Sequence, residues 1–228
     1  WKLGDLLGAE GSILKALSGA DLFVEDRLFA TLDSATRVVE LGSGYQALVT
    51  DTVGFIRKLP HHLIASFRST LEEAREADLL LHVIDAADPD WEEHREVVHE
   101  VLEELDLNHR PQLLVFNKTD RITHQEEEAL RLGVRSLDST PAVFLSAHRP
   151  DSLGRLRDAL KARVRARLRV LRISVPAEDG ETLAVLYREG EVLARRESGG
   201  RIEVEARVPA ALMGRLSRKP GVELQEGA

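Results

Sequence analysis

Three short runs in the middle of the chain are apolar on successive positions: Leu79–Ile84, Gln112–Phe116 and Ala142–Leu145. Unbroken apolar runs of this length predict strands covered on both faces, as in a parallel sheet. Between them the period changes to that of a helix. Leu63, Phe67 and Leu71 recur at helical spacing, and so do Val97 or Val98, Val101 and Leu105, with glutamates filling the opposite face. A shorter helix is predicted near Gln125–Leu132. Another starts at about Ser152, marked by Pro150 or Asp151, with Leu153, Leu156, Leu160 and Val164 on its apolar side. Upstream, Arg37–Leu41 and Ala47–Asp51 flank Gly42-Ser43-Gly44, the pattern of a hairpin. Strand–helix–strand units of this kind predict a three-layer α/β domain with a mostly parallel sheet.

From Leu168 the rhythm changes. Val170–Val175 reads as a strand and Glu181–Arg188 as a helix. Val192–Glu197 and Ile202–Val208 read as a hairpin joined through Gly199-Gly200. Pro209–Leu216 reads as a helix entered through proline, and Val222–Gln225 as a last strand. The order βαββαβ is that of a small α+β ferredoxin-like module. The predicted division is therefore residues 1–166 and 167–228.

Composition narrows the chemistry. The 228 residues include no cysteine, which excludes a disulfide scaffold, an iron–sulfur cluster, a thiolate zinc site and a cysteine nucleophile. No apolar run approaches the ~20 residues of a membrane span. The start, Trp1-Lys2-Leu3-Gly4-Asp5, lacks the basic-then-apolar order of a signal peptide, so a cytoplasmic location is expected. The net charge of −8 is unevenly placed: residues 1–150 hold 27 acidic and 15 basic side chains, residues 151–228 hold 12 and 16. Between Arg155 and Arg172 the only acid is Asp158, and such a basic run is either a phosphate-backbone contact or a solvated helix face.

Three motifs fall at strand ends. Asp51-Thr52-Val53-Gly54 has the DxxG form of nucleoside triphosphatases: Asp51 can hold magnesium through water, and Gly54 lets a backbone N–H approach a terminal phosphate. Asn117-Lys118-Thr119-Asp120 is an NKxD motif. Asp120 can accept from the N1–H and the exocyclic amine of guanine, a donor pair adenine lacks. Asn117 can tether neighbouring loops, and the Lys118 stem can lie along the base. Ser146-Ala147 can offer a backbone N–H to the guanine O6. The three in this order, each at a carboxyl strand end, form a guanine-nucleotide signature. His61-His62 lacks a third ligand at metal spacing and reads as a polar helix start. His82 and Trp91 read as core residues, and Asp85 as a turn residue or helix cap.

The runs Leu28-Phe29-Ala30-Thr31-Leu32-Asp33, Asp51 through Pro60 (DTVGFIRKLP) and Phe67-Arg68-Ser69-Thr70-Leu71-Glu72-Glu73 resemble the HflX family of ribosome-associated GTPases over about Gly19–Ala166. The tail resembles the small C-terminal domain of some members. The resemblance implies a P-loop GTPase fold, GTP or GDP bound with Mg2+, and Thr31 as the switch threonine that reaches magnesium and the γ-phosphate. It also implies binding to the large ribosomal subunit and its RNA; no DNA partner is expected.

The phosphate loop departs from the family. Aligned back from Leu14-Lys15-Ala16-Leu17-Ser18-Gly19-Ala20, the stretch Gly4–Ser12 puts Ala9 at the second glycine of G-x-x-x-x-G-K-[ST], Glu10 at the lysine and Gly11 at the magnesium ligand. At an effective dielectric of about 20, a unit charge pair at ~4 Å is worth roughly 4 kcal/mol, so reversing its sign costs phosphate affinity heavily. Only Trp1–Leu3 precede Gly4, so the first strand is expected to be nearly missing, and the domain that precedes the GTPase domain in the family is expected to be absent. Phe55 follows DxxG where many GTPases place the water-orienting glutamine, which implies slow intrinsic hydrolysis. The alternatives are a pseudo-GTPase that only binds a partner, and an altered chain that keeps the fold without activity.

Overall fold

The computed structural model describes residues 2–5, 12–19, 35–42, 45–51, 73–137 and 139–227. The chain divides into two compact units, one of residues 1–40 and 46–159, the other of residues 41–45 and 160–228.

The first unit is organised by a six-stranded sheet in the order β2-β3-β1-β4-β5-β6. The strands are β1 Lys2–Asp5, β2 Ala35–Gly42, β3 Tyr45–Asp51, β4 Leu79–Asp85, β5 Gln112–Asn117 and β6 Ala142–Phe144. From β3 through β6 every neighbouring pair is parallel. The first strand is not missing. β1 is short, but it lies at the centre, pairing with β3 from Lys2↔Leu48 to Asp5↔Asp51 and with β4 from Leu3↔Leu79 to Asp5↔Leu81. Partners on both edges hold a segment that contains Gly4, a residue with poor intrinsic strand preference.

β4 is buried from Leu79 to Ile84, so both faces of the sheet are covered, as its unbroken apolar run requires. On one side Leu80 packs with Val98, Leu102 and Leu105, which belong to or directly follow helix α2, Trp91–Glu104. Val98 is the buried member of the adjacent valine pair, and Val97 is exposed. Farther along, Ile84, Leu114, Phe116 and Phe144 pack with Trp91 and with Val134 of helix α3, His124–Leu137. Phe116 stacks on Phe144 at 4.9 Å and meets the Trp91 ring edge-on at 5.1 Å. Helix α3 continues past the predicted end at Leu132 to Leu137. Its start is a capping box in which the Thr123 N–H donates to Glu126 (2.7 Å) and the Glu126 N–H donates to the Thr123 hydroxyl (3.3 Å).

Helix α1, Ser12–Ser18, buries Ile13, Leu14 and Leu17. The Leu17 carbonyl accepts from Arg157 (3.2 Å) in helix α4, Leu153–Arg167. A 3-10 turn, Pro150–Ser152, leads into α4 at the predicted place.

The second unit carries an antiparallel four-stranded sheet in the order β10-β7-β9-β8. Its elements are β7 Arg169–Pro176, α5 Gly180–Glu189, β8 Glu191–Ser198, β9 Arg201–Val208, α6 Ala210–Leu216 and β10 Glu223–Glu226. This is the predicted βαββαβ order. Alternate residues of β7 and β9 (Leu171, Ile173, Val175, Ile202, Val204, Ala206) bury one face against Leu186, Leu212 and Leu216. The β8–β9 turn needs positive φ at both central positions, and Gly199 (+60°) and Gly200 (+77°) supply it.

Candidate functional site

The described motif residues stand at the carboxyl ends of parallel strands, where open α/β sheets bind ligands. Asp51 closes β3, is 8% exposed, and is in register with Asp5 at the end of β1. Asn117 closes β5 and is in register with Asp85 at the end of β4. Ser146 and Ala147 follow β6. Gly54 and Thr31 lie outside the described residues, as do Ala9, Glu10, Gly11, Phe55, His61, His62 and the predicted helix through Leu63, Phe67 and Leu71.

Asn117 is the structural centre of the motif. It is 1% exposed, and its Oδ1 accepts from the N–H groups of Lys118 (2.8 Å) and Ala147 (2.9 Å). Its carbonyl accepts from the Ala86 N–H (2.8 Å). One residue thus joins the loops after β4, β5 and β6, the tether the sequence predicts. The Thr119 N–H donates to the Leu145 carbonyl (3.2 Å), a further bond between the last two loops. Lys118 takes the left-handed backbone (φ 65°), unusual for a residue with a side chain, and this turns the chain into the 3-10 turn Thr119–Arg121.

Asp120, exposed, accepts a hydrogen bond from the Ser146 hydroxyl, which is fully buried. That bond is the main reason its carboxyl is held below the ordinary carboxylate value, with smaller help from nearby His148 and Arg149. Asp120 is therefore an ionised acceptor at neutral pH, steadied by Ser146 and open to solvent. A carboxylate so placed suits a ligand edge with two adjacent donors.

The backbone donors are more committed than the sequence reading expects. Of the Ser146-Ala147 backbone N–H groups offered there to a guanine O6, that of Ala147 is engaged by Asn117, so a ligand oxygen has to share it. The Ser146 N–H donates to the Ser152 hydroxyl (3.1 Å), and the His148 N–H to the Ser146 hydroxyl (3.2 Å). The sequence motifs do not single out Ser152. Its hydroxyl lies 2.7 Å from the carbonyls of both Ser146 and Arg149, closing the turn that presents Ser146 to Asp120. A serine just after Pro-Asp at a helix start is a turn signal that marks such a position.

Asp51 suits magnesium: a carboxylate at a strand end, buried enough to be fixed, and a hard oxygen donor. Among the described residues no three acidic or histidine side chains cluster in a way that would hold a metal without further ligands. His82 is core, as predicted. Burial, aided by Arg95, pushes its pKa down to about 3, so it stays neutral.

The basic run is partly consumed within the protein. Arg157 binds the Leu17 carbonyl, Arg165 pairs with Glu191 at 2.7 Å, and Arg169 pairs with Glu226 at 3.3 Å. No described helix is long and apolar enough to cross a membrane.

Residues 11–118 match a family model described as a 50S ribosome-binding GTPase. A "GTPase HflX" of Magnetococcus marinus is 39% identical over 220 residues, covering 95% of this chain and 50% of the relative. That of Escherichia coli K12 is 34% identical over 211 residues, covering 92% and 49%. The chain thus spans about half the length of these curated relatives. Among solved structures, a GTP-binding protein of Sulfolobus solfataricus in complex with GDP superposes with a TM-score of 0.55 at 24% identity, over 71% of this chain and 51% of that one. A point variant of Aquifex aeolicus Era bound to GDP.AlF4- gives 0.53 at 20%, over 71% and 54%. At such identities these two likenesses speak for the fold alone.

Proposed function

The chain belongs to the HflX family of P-loop GTPases, of which it spans about half a member's length, and from this we propose that it binds guanine nucleotides and acts on the large ribosomal subunit in the cytoplasm. The observation that carries the base-binding part is the prearranged Asn117–Asp120–Ser146 cluster. Asp120 accepts from guanine N1–H and the 2-amine, and Asn117 holds the three loops that frame the base. The Lys118 stem lines the slot, and Ala147 faces the O6. Asp51, with Thr31, would hold Mg2+, which when bound neutralises phosphate charge; Gly54 would approach the terminal phosphate. In this reading residues 1–166 would form the nucleotide domain and residues 167–228 a small second domain, a boundary a few residues past the one between the two compact units. Ordering of the segments around Thr31 and Asp51–Gly54 by GTP would set affinity for the ribosome.

Hydrolysis is weak or lost in this reading, because Glu10 stands at the phosphate-loop lysine and Phe55 cannot orient water. The same glutamate favours a second reading, a protein that binds ribosomal RNA or protein without nucleotide turnover. Calorimetric titration with GTP and Mg2+ of the chain and of a Glu10→Lys, Gly11→Ser variant tests the assignment. The variant should gain affinity for GTP far more than for guanosine. Equal affinities would overturn the alignment of Glu10.

A further inference from the structure

A second carboxylate belongs to the base-binding end of the sheet. Asp85 is the last residue of β4, in register with Asn117 across the parallel β4–β5 pair. Its Oδ2 lies 3.1 Å from the Lys118 ammonium, and its Oδ1 accepts from the Ala87 N–H at 3.0 Å. The two oxygens therefore have different tasks. One fixes the carboxylate to its own turn, and the other holds the lysine. The Lys118 side chain is only 18% exposed and that of Asp85 30%, so this pair is more sheltered than an ordinary surface ion pair.

The lysine has reason to need a hold. Its backbone sits in the left-handed region, and the residue before it is pinned to Ala147. The direction in which the stem leaves the loop is thus set by Asn117, while the far end of a flexible four-carbon chain is set by Asp85. An aliphatic stem fixed at both ends is a flat apolar wall, the surface a purine ring stacks on. An ammonium tied to Asp85 is also neutralised, so the wall contributes contact rather than charge.

We propose that Asp85 is a positioning residue of the base site: by holding the Lys118 ammonium it presents the lysine stem to the purine. The proposal rests on the guanine-binding reading above and adds a residue to it. The test is a double-variant cycle read by calorimetry with GDP, using the parent chain, Asp85→Asn, Lys118→Met and the double variant. Asparagine keeps the oxygen that accepts from Ala87, so the turn is retained; Asp85→Glu serves as the charge-keeping comparison. Asp85→Asn should weaken GDP binding about tenfold, the scale of one charge-assisted contact. In the Lys118→Met background the same change should have no further effect, and Asp85→Glu should restore part of the affinity. A merely structural role would lower the melting temperature and weaken binding equally in both backgrounds. That equality, or an unchanged Kd in Asp85→Asn, overturns the proposal while leaving guanine binding intact. A parent chain that takes up no GDP overturns both.

Discussion

Replacing Asn117 with alanine separates what holds the site together from what selects the ligand. Asn117 is 1% exposed, and its Oδ1 is the acceptor for two backbone N–H groups, at 2.8 and 2.9 Å. Alanine removes both bonds and leaves both donors without that acceptor. A buried donor left unsatisfied costs about 1–3 kcal/mol. Lys118 and Ala147 are half-buried, so water can reach part of that deficit, and each donor falls near the lower end of the range: about 2–3 kcal/mol for the pair. For a domain of this size that corresponds to a melting point lower by roughly 4–12 °C. Asp120→Ala is the contrast. Asp120 is exposed, so water can take its place beside the buried Ser146 hydroxyl, and its loss should cost about 1–2 kcal/mol, less than that of Asn117. Urea unfolding followed by the fluorescence of Trp91, which is buried against Phe116, reports on this unit. A cost for Asn117→Ala no greater than that for Asp120→Ala would refute the tethering role.

Other consequences follow from the same geometry. Because the Asp120 carboxyl is held below its ordinary value, guanine binding should be flat through neutral and mildly acidic pH and fall only below the usual carboxylate range; a decline already in the mildly acidic range would refute this. His82, with its pKa pushed down to about 3, stays uncharged in the folded chain while the unfolded chain takes up a proton below about 6.5. Its contribution is whole above that pH and is lost as pH falls toward 3, at up to about 1.4 kcal/mol per pH unit, and His82→Leu should flatten this acid limb of stability. Phe116→Ala, which removes a fully buried ring in contact with Trp91 and Phe144, should cost about 3–5 kcal/mol in chemical denaturation. Asp179 caps α5 through the Thr182 N–H (3.1 Å), and Asp179→Ala should destabilise the second unit by about 1 kcal/mol. A loss well under half that would mean the cap contributes little, since Asp179→Ala removes the Lys219 contact as well.

Much of this arrangement is readable before any coordinates, for physical reasons. β4 and β5 are apolar along nearly their whole length, His82 excepted, because both their faces are covered, and that pattern is not that of an amphipathic element. The NKxD and Ser-Ala motifs are local in sequence and sit where strands end, so their placement follows from the strands. What escapes is spatial. Asp85 and Lys118 are far apart in sequence and meet only because β4 and β5 are paired in register. Ser152 matters because a 3-10 turn folds its hydroxyl back onto Ser146. β1 escapes a local reading because its stability comes from partners on both sides, which intrinsic strand preference does not report. The Thr123–Glu126 capping box at the start of α3 is likewise a feature that the periodicity placing a helix near Gln125 does not report.

The most direct test of a guanine-selective site at the ends of β5 and β6 is calorimetric titration of the chain with GDP and with ADP. Two bonds made by Asp120 to guanine alone predict a preference for GDP of about a hundredfold, with Asp120→Asn moving that preference to the xanthine nucleotide. Equal affinities for GDP and ADP, or heat from neither at millimolar nucleotide, would contradict it.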